Sequence, residues 1–134
     1  MMAVTEFGKF LRKMRIDCSE VLGVMAERLG VSPAYLSAIE NGMRDIPDDF
    51  VEKIVAEYAL DEEQAKKLAE AEAQTKGAVD VNFNQRRTDM NVVETAVMFA
   101  RDFSRLTDQQ MNQIKSILKQ CEAAEVYTHG SGTV

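Results

Sequence analysis

The 134-residue chain has no tryptophan, one histidine, two prolines and two cysteines. The histidine, His129, lies near the C-terminus, so neither a histidine-based catalytic triad nor a metal cluster can be built around it within a folded domain. Cys18 and Cys121 are far apart in the sequence and lack the spacing of a metal site, which predicts two reduced thiols. We therefore expect no bound metal, no cofactor and no enzymatic activity.

Two further absences narrow the class of protein. No apolar run is long enough to cross a membrane and no signal peptide is visible, which together predict a cytoplasmic protein without a membrane partner. The seven glycines are dispersed along the chain and do not gather into a phosphate-binding loop. Hydrophobic residues nevertheless make up 46% of the sequence, which is enough to build a folded core.

Residues 21–43 carry the most informative pattern in the chain. Two short helical patterns meet at Gly30, where the backbone needs the left-handed conformation that glycine adopts without strain. Ser32 can cap the second helix, Pro33 suits its first position, and Gly42 ends it. This order of signals is typical of a helix-turn-helix, a motif whose second helix enters the major groove of DNA.

The same stretch resembles the lambda-repressor-like, or Cro/XRE-type, DNA-binding family, and the resemblance covers roughly residues 4–60, or extends to about residue 70 if a fifth helix is counted. The resemblance is carried by Met25-Ala26-Glu27-Arg28-Leu29-Gly30-Val31-Ser32, Leu36 and Ile39-Glu40-Asn41-Gly42. It implies a mainly α fold that begins with a five-helix lambda-repressor-like domain at residues 1–76. It also implies a partly buried ion pair between Arg15 and Glu40, and losing one partner of such a pair is costly.

The resemblance further implies which residues meet DNA. The first turn and outward face of the second motif helix would contact base edges; these positions are Ser32, Pro33, Ala34, Tyr35, Ser37 and Ala38. Phosphate contacts would come from the start of the preceding helix, Arg28, Asn41 and Arg44, with Lys9, Arg12 and Lys13 as weaker candidates. The family often has Gln, Asn, Arg or Lys at the base-contacting positions, which are small and mostly apolar here. We therefore expect DNA shape and phosphate contacts to supply much of the specificity.

The net charge of the chain does not favour the DNA binding that the motif predicts. Its net charge is −6, from 22 acidic and 16 basic residues, and an acidic chain is a poor nonspecific binder of phosphates. However, basic residues gather in the first predicted helix, whereas acidic residues concentrate over residues 45–63. This distribution predicts a local basic face that binds DNA specifically and in a salt-sensitive manner. The alternative is that these are ordinary solvated charges.

Apolar spacing and capping residues predict the other helices of the first domain. The predicted bounds are Thr5 to about Ile16, a helix after Ser19, residues 33–40, a helix from Pro47, and Asp61 to about Thr75. Gln64 lies three residues after Asp61, as a capping box requires.

Beyond Gly77 the pattern changes to alternation. In residues 78–83, Val79, Val81 and Phe83 share one face, which predicts a short strand. No second strand is apparent in the chain, so the segment either pairs with the same strand of another copy or forms an extended linker.

Two apolar helical patterns follow, from about Asp89 to Arg105 and from a capping box at Thr107. The predicted helical hairpin needs an apolar surface to pack against. We therefore assign residues 77–125 to dimerisation, with docking onto the first domain as the alternative, and residues 126–134 to a flexible tail.

The sequence thus predicts a sequence-specific transcriptional regulator, a repressor that binds double-stranded DNA at a palindromic operator as a homodimer. One alternative is an antitoxin-type module that binds a toxin through its C-terminal hairpin and autoregulates through its N-terminal domain. Another is a scaffold that has kept the fold and lost DNA binding.

Overall fold

The computed structural model describes residues 3–130, with side chains described for residues 3–122. This part of the chain is mainly helical and contains seven α-helices and no strand. It divides into two compact units, of which the first ends at Asp80 and the second begins at Val81. Across the described residues, no helix combines the length and the apolar character that a membrane span requires.

The first unit contains helices α1 (Glu6–Cys18), α2 (Leu22–Leu29), α3 (Pro33–Glu40), α4 (Phe50–Tyr58) and α5 (Glu62–Lys76). Local signals explain most of these bounds. Thr5, Ser32 and Asp61 accept hydrogen bonds from main-chain amides at the starts of α1, α3 and α5, and Asp61 forms the predicted capping box with Gln64. Gly30 ends α2 in the left-handed conformation, with φ of 72°.

The predicted start of α4 at Pro47 is wrong, because α4 begins at Phe50. Residues 47–49 form a turn in which the Pro47 carbonyl accepts a hydrogen bond from the Phe50 amide over 3.1 Å. Proline is tolerated in turns as well as at the first position of a helix, because neither place needs the N–H that it lacks.

The hydrophobic core lies in the first unit. It holds every buried apolar side chain of the described residues: Phe7, Leu11, Met14, Met25, Ala26, Leu29, Leu36, Ile39, Ile46, Phe50, Ile54 and Leu68. Phe7 and Phe50 bring α1 and α4 together with ring centroids 6.2 Å apart. The core therefore holds α2 and α3, the two helices of the motif, against a scaffold of the other three.

The second unit contains helices α6 (Met90–Asp102) and α7 (Asp108–Gly130), with 3-10 turns at Asn84–Arg86 and Phe103–Arg105. Thr107 and Gln110 form the predicted capping box at the start of α7. Residues 78–83 are irregular in the single chain, where a lone strand has no partner for its backbone groups, so the predicted strand is not confirmed. Helix α7 continues to Gly130, past the predicted start of the tail at residue 126, and residues 131–134 lie outside the described residues.

Candidate nucleic-acid interface

The first turn of α3 is open to solvent. Ser32, Pro33 and Ala34 are exposed, and the Ser32 hydroxyl accepts a hydrogen bond from the Tyr35 amide over 3.1 Å. Tyr35, Ser37 and Ala38 were expected on the outer side of the helix but are half-buried. The accessible surface of α3 is therefore small in area and offers few hydrogen-bond donors.

Arg44 lies beside this first turn, stacked on Tyr35. The guanidinium carbon stands 5.6 Å from the centroid of the Tyr35 ring, a cation–π distance. The amides of Met43 and Arg44 both donate to the Ala38 carbonyl, over 2.8 and 3.2 Å, which fixes the start of the loop to the end of α3. Within residues 3–122, Arg44 forms no ion pair, so its charge is available to an external anion.

Asn41 joins α3 to α1 through its side-chain amide. Its Nδ2 donates to the Ser37 carbonyl over 2.9 Å, and its Oδ1 accepts from the Arg12 guanidinium over 3.4 Å. Arg12 also donates to Glu40 over 3.4 Å while keeping 45% of its side chain exposed. Asn41 and Arg12 therefore sit together at the C-terminal end of α3.

Glu40 is the main anchor between α3 and α1. Its side chain is 1% exposed and accepts two hydrogen bonds from Arg15, which is itself 11% exposed, so the structure contains the ion pair that the resemblance implies. The Glu40 carbonyl accepts a further bond from the Thr5 amide over 3.0 Å. Gly8 allows this close approach, because a Cβ there would overlap the Glu40 carbonyl and lie 2.9 Å from its Cα.

Comparison with known proteins agrees with this geometry. Residues 6–68 match the family model of a helix-turn-helix domain. This segment is a helix-turn-helix domain. Neither a curated protein nor a solved structure matched the chain.

Helix-turn-helix domains are typical of DNA-binding regulators and are typically non-enzymatic. The match covers α1 to α4 and the first half of α5, which are the helices that enclose the core. It is consistent with the Cro/XRE-type resemblance carried by the motif residues.

Arg28, one of the predicted phosphate contacts, is held inside the helix-turn-helix domain by partners on two other elements. It donates to the Glu20 carboxylate, to the Glu57 side chain over 3.3 Å and to the Glu57 carbonyl over 2.8 Å. Its guanidinium also lies 3.7 Å from the centroid of the Tyr58 ring. These contacts give Arg28 a structural role between α2 and α4, and a phosphate would have to compete with them.

Glu20 completes this cluster. The Tyr58 hydroxyl donates to its carboxylate over 2.7 Å. This hydrogen bond, together with the bond from Arg28, holds the pKa of Glu20 below its ordinary value although burial opposes the shift. Burial and the same hydrogen bond raise the pKa of Tyr58. The sequence showed neither partner, because Glu20 and Tyr58 are 38 residues apart and no short-range spacing connects them.

The charges of the domain are segregated along the chain. Residues 1–44, which include the motif, contain six Lys or Arg and five Asp or Glu. Residues 45–80 contain four basic and eleven acidic residues, so the acidic excess comes from α4, α5 and their loops. The segment that contains Ser32 and Arg44 therefore carries little net charge, so it repels DNA far less than the net charge of the whole chain implies.

Proposed function

We propose that this chain is a sequence-specific transcriptional repressor that binds a palindromic operator as a homodimer in the cytoplasm. The observation that carries the proposal is the position of Arg44. It is an exposed arginine without an ion pair in the described residues, stacked on Tyr35 beside the open first turn of α3. An arginine at that position contacts a phosphate when α3 enters the major groove.

The composition of α3 determines how it would recognise DNA. Ala34 offers a methyl group that suits the methyl of thymine, and the hydroxyl of Ser32 can donate to a base or a phosphate. Neither residue can form the bidentate hydrogen bonds by which Arg selects guanine or Gln selects adenine. Recognition therefore depends on DNA shape, on the phosphate contact of Arg44 and on the spacing of two half-sites.

The second unit supports dimeric binding. Residues 81–122 contain no buried side chain, although α6 and α7 carry many large apolar residues. Since one chain presents one recognition helix, two copies related by a two-fold axis would read two half-sites about 34 Å apart. A dimer that occupies a promoter in this way excludes polymerase, which accounts for repression without a further surface.

Selection of bound sequences from random DNA, with the full chain, tests this function directly. We expect enrichment of an inverted repeat whose half-sites are separated by about one helical turn. Enrichment of a single half-site would contradict dimeric binding. Absence of any enrichment would contradict sequence-specific binding and would favour the scaffold that has lost it.

Arg44→Ala tests the residue that carries the proposal. Operator affinity should fall, and the slope of log affinity against log salt concentration should decrease in magnitude by about one, because one phosphate contact is lost. Lys66→Ala on α5 is the matched control, since it removes the same charge from an exposed site far along the chain. Equal salt slopes for Arg44→Ala and the unmutated protein would exclude Arg44 as a phosphate contact.

The antitoxin-type function uses the same two units differently. Its support is the exposed apolar surface of α6 and α7, which a toxin would cover in place of a second copy. Purification of the chain from its native host distinguishes the two functions. A stoichiometric second protein would favour the antitoxin, and a homodimer alone would favour the repressor.

A further inference from the structure

The second unit has a groove between its two helices. The groove has a volume of about 270 Å³ and is lined by Thr95, Met98, Phe99, Asp102, Leu106 and Ile114. Phe99 and Phe103 pack beside it with ring centroids 5.1 Å apart. Most of its lining is apolar, and it is open to solvent.

Large apolar side chains continue from the groove along both helices. Ile117 and Leu118 follow Ile114 by three and four residues, so they lie on the same side of α7. We call the combined surface the groove face; its residues are Met98, Phe99, Phe103, Leu106, Ile114, Ile117 and Leu118. Ile117 and Leu118 are each 58% exposed, and Met98 is 57% exposed.

The apolar area of the groove face is close to the apolar part of one side of a standard interface. Taking about 150–200 Å² for a large side chain and its exposed fraction, the face presents roughly 400–600 Å² of apolar surface. A monomeric protein rarely exposes a larger contiguous patch than this, and a standard interface buries about 800 Å² on each partner, including a polar rim.

The charge of the second unit favours a second copy as the occupant. Residues 81–134 contain six Lys or Arg and six Asp or Glu, so this unit is neutral while residues 1–80 carry the whole net charge of −6. Two copies of the neutral unit can therefore meet without net repulsion. A strongly basic partner would instead be attracted to the acidic residues of the first unit.

We propose that the groove face docks against the groove face of a second copy of this chain, in a two-fold symmetric interface. This inference rests on the proposed function, because it names the surface through which the homodimer forms. In the dimer, Ile117 and Leu118 of each copy lie against the groove of the other, and Phe99 and Phe103 are covered.

Sedimentation equilibrium of the full chain tests the interface. The unmutated protein should be a dimer, and Met98→Glu or Leu118→Glu should raise the dissociation constant by about tenfold or more, since each buries a charge without a partner. Both side chains are exposed in the single chain, so circular dichroism should show an unchanged helix content. The matched control is Val97→Glu, which alters a neighbour of equal exposure that does not line the groove.

Three results would overturn the inference. First, the unmutated protein could be a monomer. Second, the Met98→Glu and Leu118→Glu variants could both remain dimers. Third, Val97→Glu could be the only one of the three substitutions that dissociates the dimer. Binding to the DNA obtained by selection separates this inference from the proposed function. A protein that stays dimeric in both the Met98→Glu and the Leu118→Glu variant and still binds that DNA refutes the groove face alone, whereas a groove-face dimer that binds no DNA refutes the repressor alone.

Discussion

Replacing Glu40 by glutamine would remove the negative charge that anchors α3 to α1 while keeping the size of the side chain. The carboxylate is 1% exposed and accepts from Arg15 and from Arg12. After the substitution, Arg15 keeps its positive charge at a position where only 11% of its side chain reaches water. Stranding a charge in this way is the costly outcome for a buried pair.

The structure sets the size of the effect. Breaking a fully buried ion pair by removing one partner costs about 3–5 kcal/mol. The partial exposure of Arg15 and the larger exposure of Arg12 reduce this cost, so we expect Glu40→Gln to lower the free energy of unfolding by about 2–4 kcal/mol. That is a large share of the total stability of a small domain, which is about 5–15 kcal/mol.

Urea unfolding followed by far-UV circular dichroism measures this change, and it suits a chain without tryptophan. Arg12→Met is the matched control, because it removes a partner of Glu40 that is 45% exposed, and its cost should be at most about 1 kcal/mol. The double variant Arg15→Met with Glu40→Leu removes both charges and should recover much of the loss.

Two outcomes would refute this reasoning. If Glu40→Gln cost no more than Arg12→Met, the buried carboxylate would contribute no more than a surface charge. If the losses of the Arg15→Met and Glu40→Leu single variants simply added in the double variant, the two residues would not act as a pair.

Two further predictions concern the same domain. Gly8→Ala should lower the free energy of unfolding by about 1–3 kcal/mol, because the added methyl group would overlap Glu40. Gly23→Ala, which has open space around it, should raise the free energy of unfolding by up to about 1 kcal/mol. Equal urea midpoints for the two variants would contradict the close contact at Gly8. The pKa of Glu20 in the folded protein lies below 4.5. The stabilisation that ionised Glu20 gives the folded protein should therefore be complete above pH 4.5 and should be lost as the pH falls through the pKa of the folded state. The difference in the free energy of unfolding between Glu20→Gln and the unmutated protein should therefore shrink as the pH falls. A difference that stays constant down to acid unfolding would contradict this role of Glu20.

Features encoded by neighbouring residues could be predicted from the sequence. The caps at Thr5, Ser32 and Asp61 and the left-handed turn at Gly30 each depend on a few consecutive residues, and each is present in the structure. The start of α4 was mistaken because the signal at Pro47 fits a turn equally well. Local chemistry therefore determines a helix start more firmly where a capping side chain is present, as at Ser32 before Pro33, than where a proline is the only signal.

The roles of single arginines could not be predicted in the same way. Arg28 lies in the first helix of the motif and Arg44 just beyond the second, yet Arg28 is held by Glu20 and Glu57 while Arg44 stacks on Tyr35 and keeps its charge free in the described residues. The difference depends on which distant residues the fold brings near each guanidinium. Only Arg15 was assigned its partner from the sequence, because the family resemblance supplied Glu40.

Helix α3 is held firmly in place, but its accessible side chains offer few contacts to bases, and the two features together affect regulation. Glu40, Asn41 and the Gly8 contact fix the helix firmly, but Ser32 and Ala34 supply little base-specific energy, so each half-site is bound weakly. Two weak half-sites give a strong operator complex only when one dimer binds both, because the second contact is then intramolecular. Operator occupancy would therefore depend steeply on the concentration of the chain, and any factor that competes for the groove face would release the DNA without touching α3.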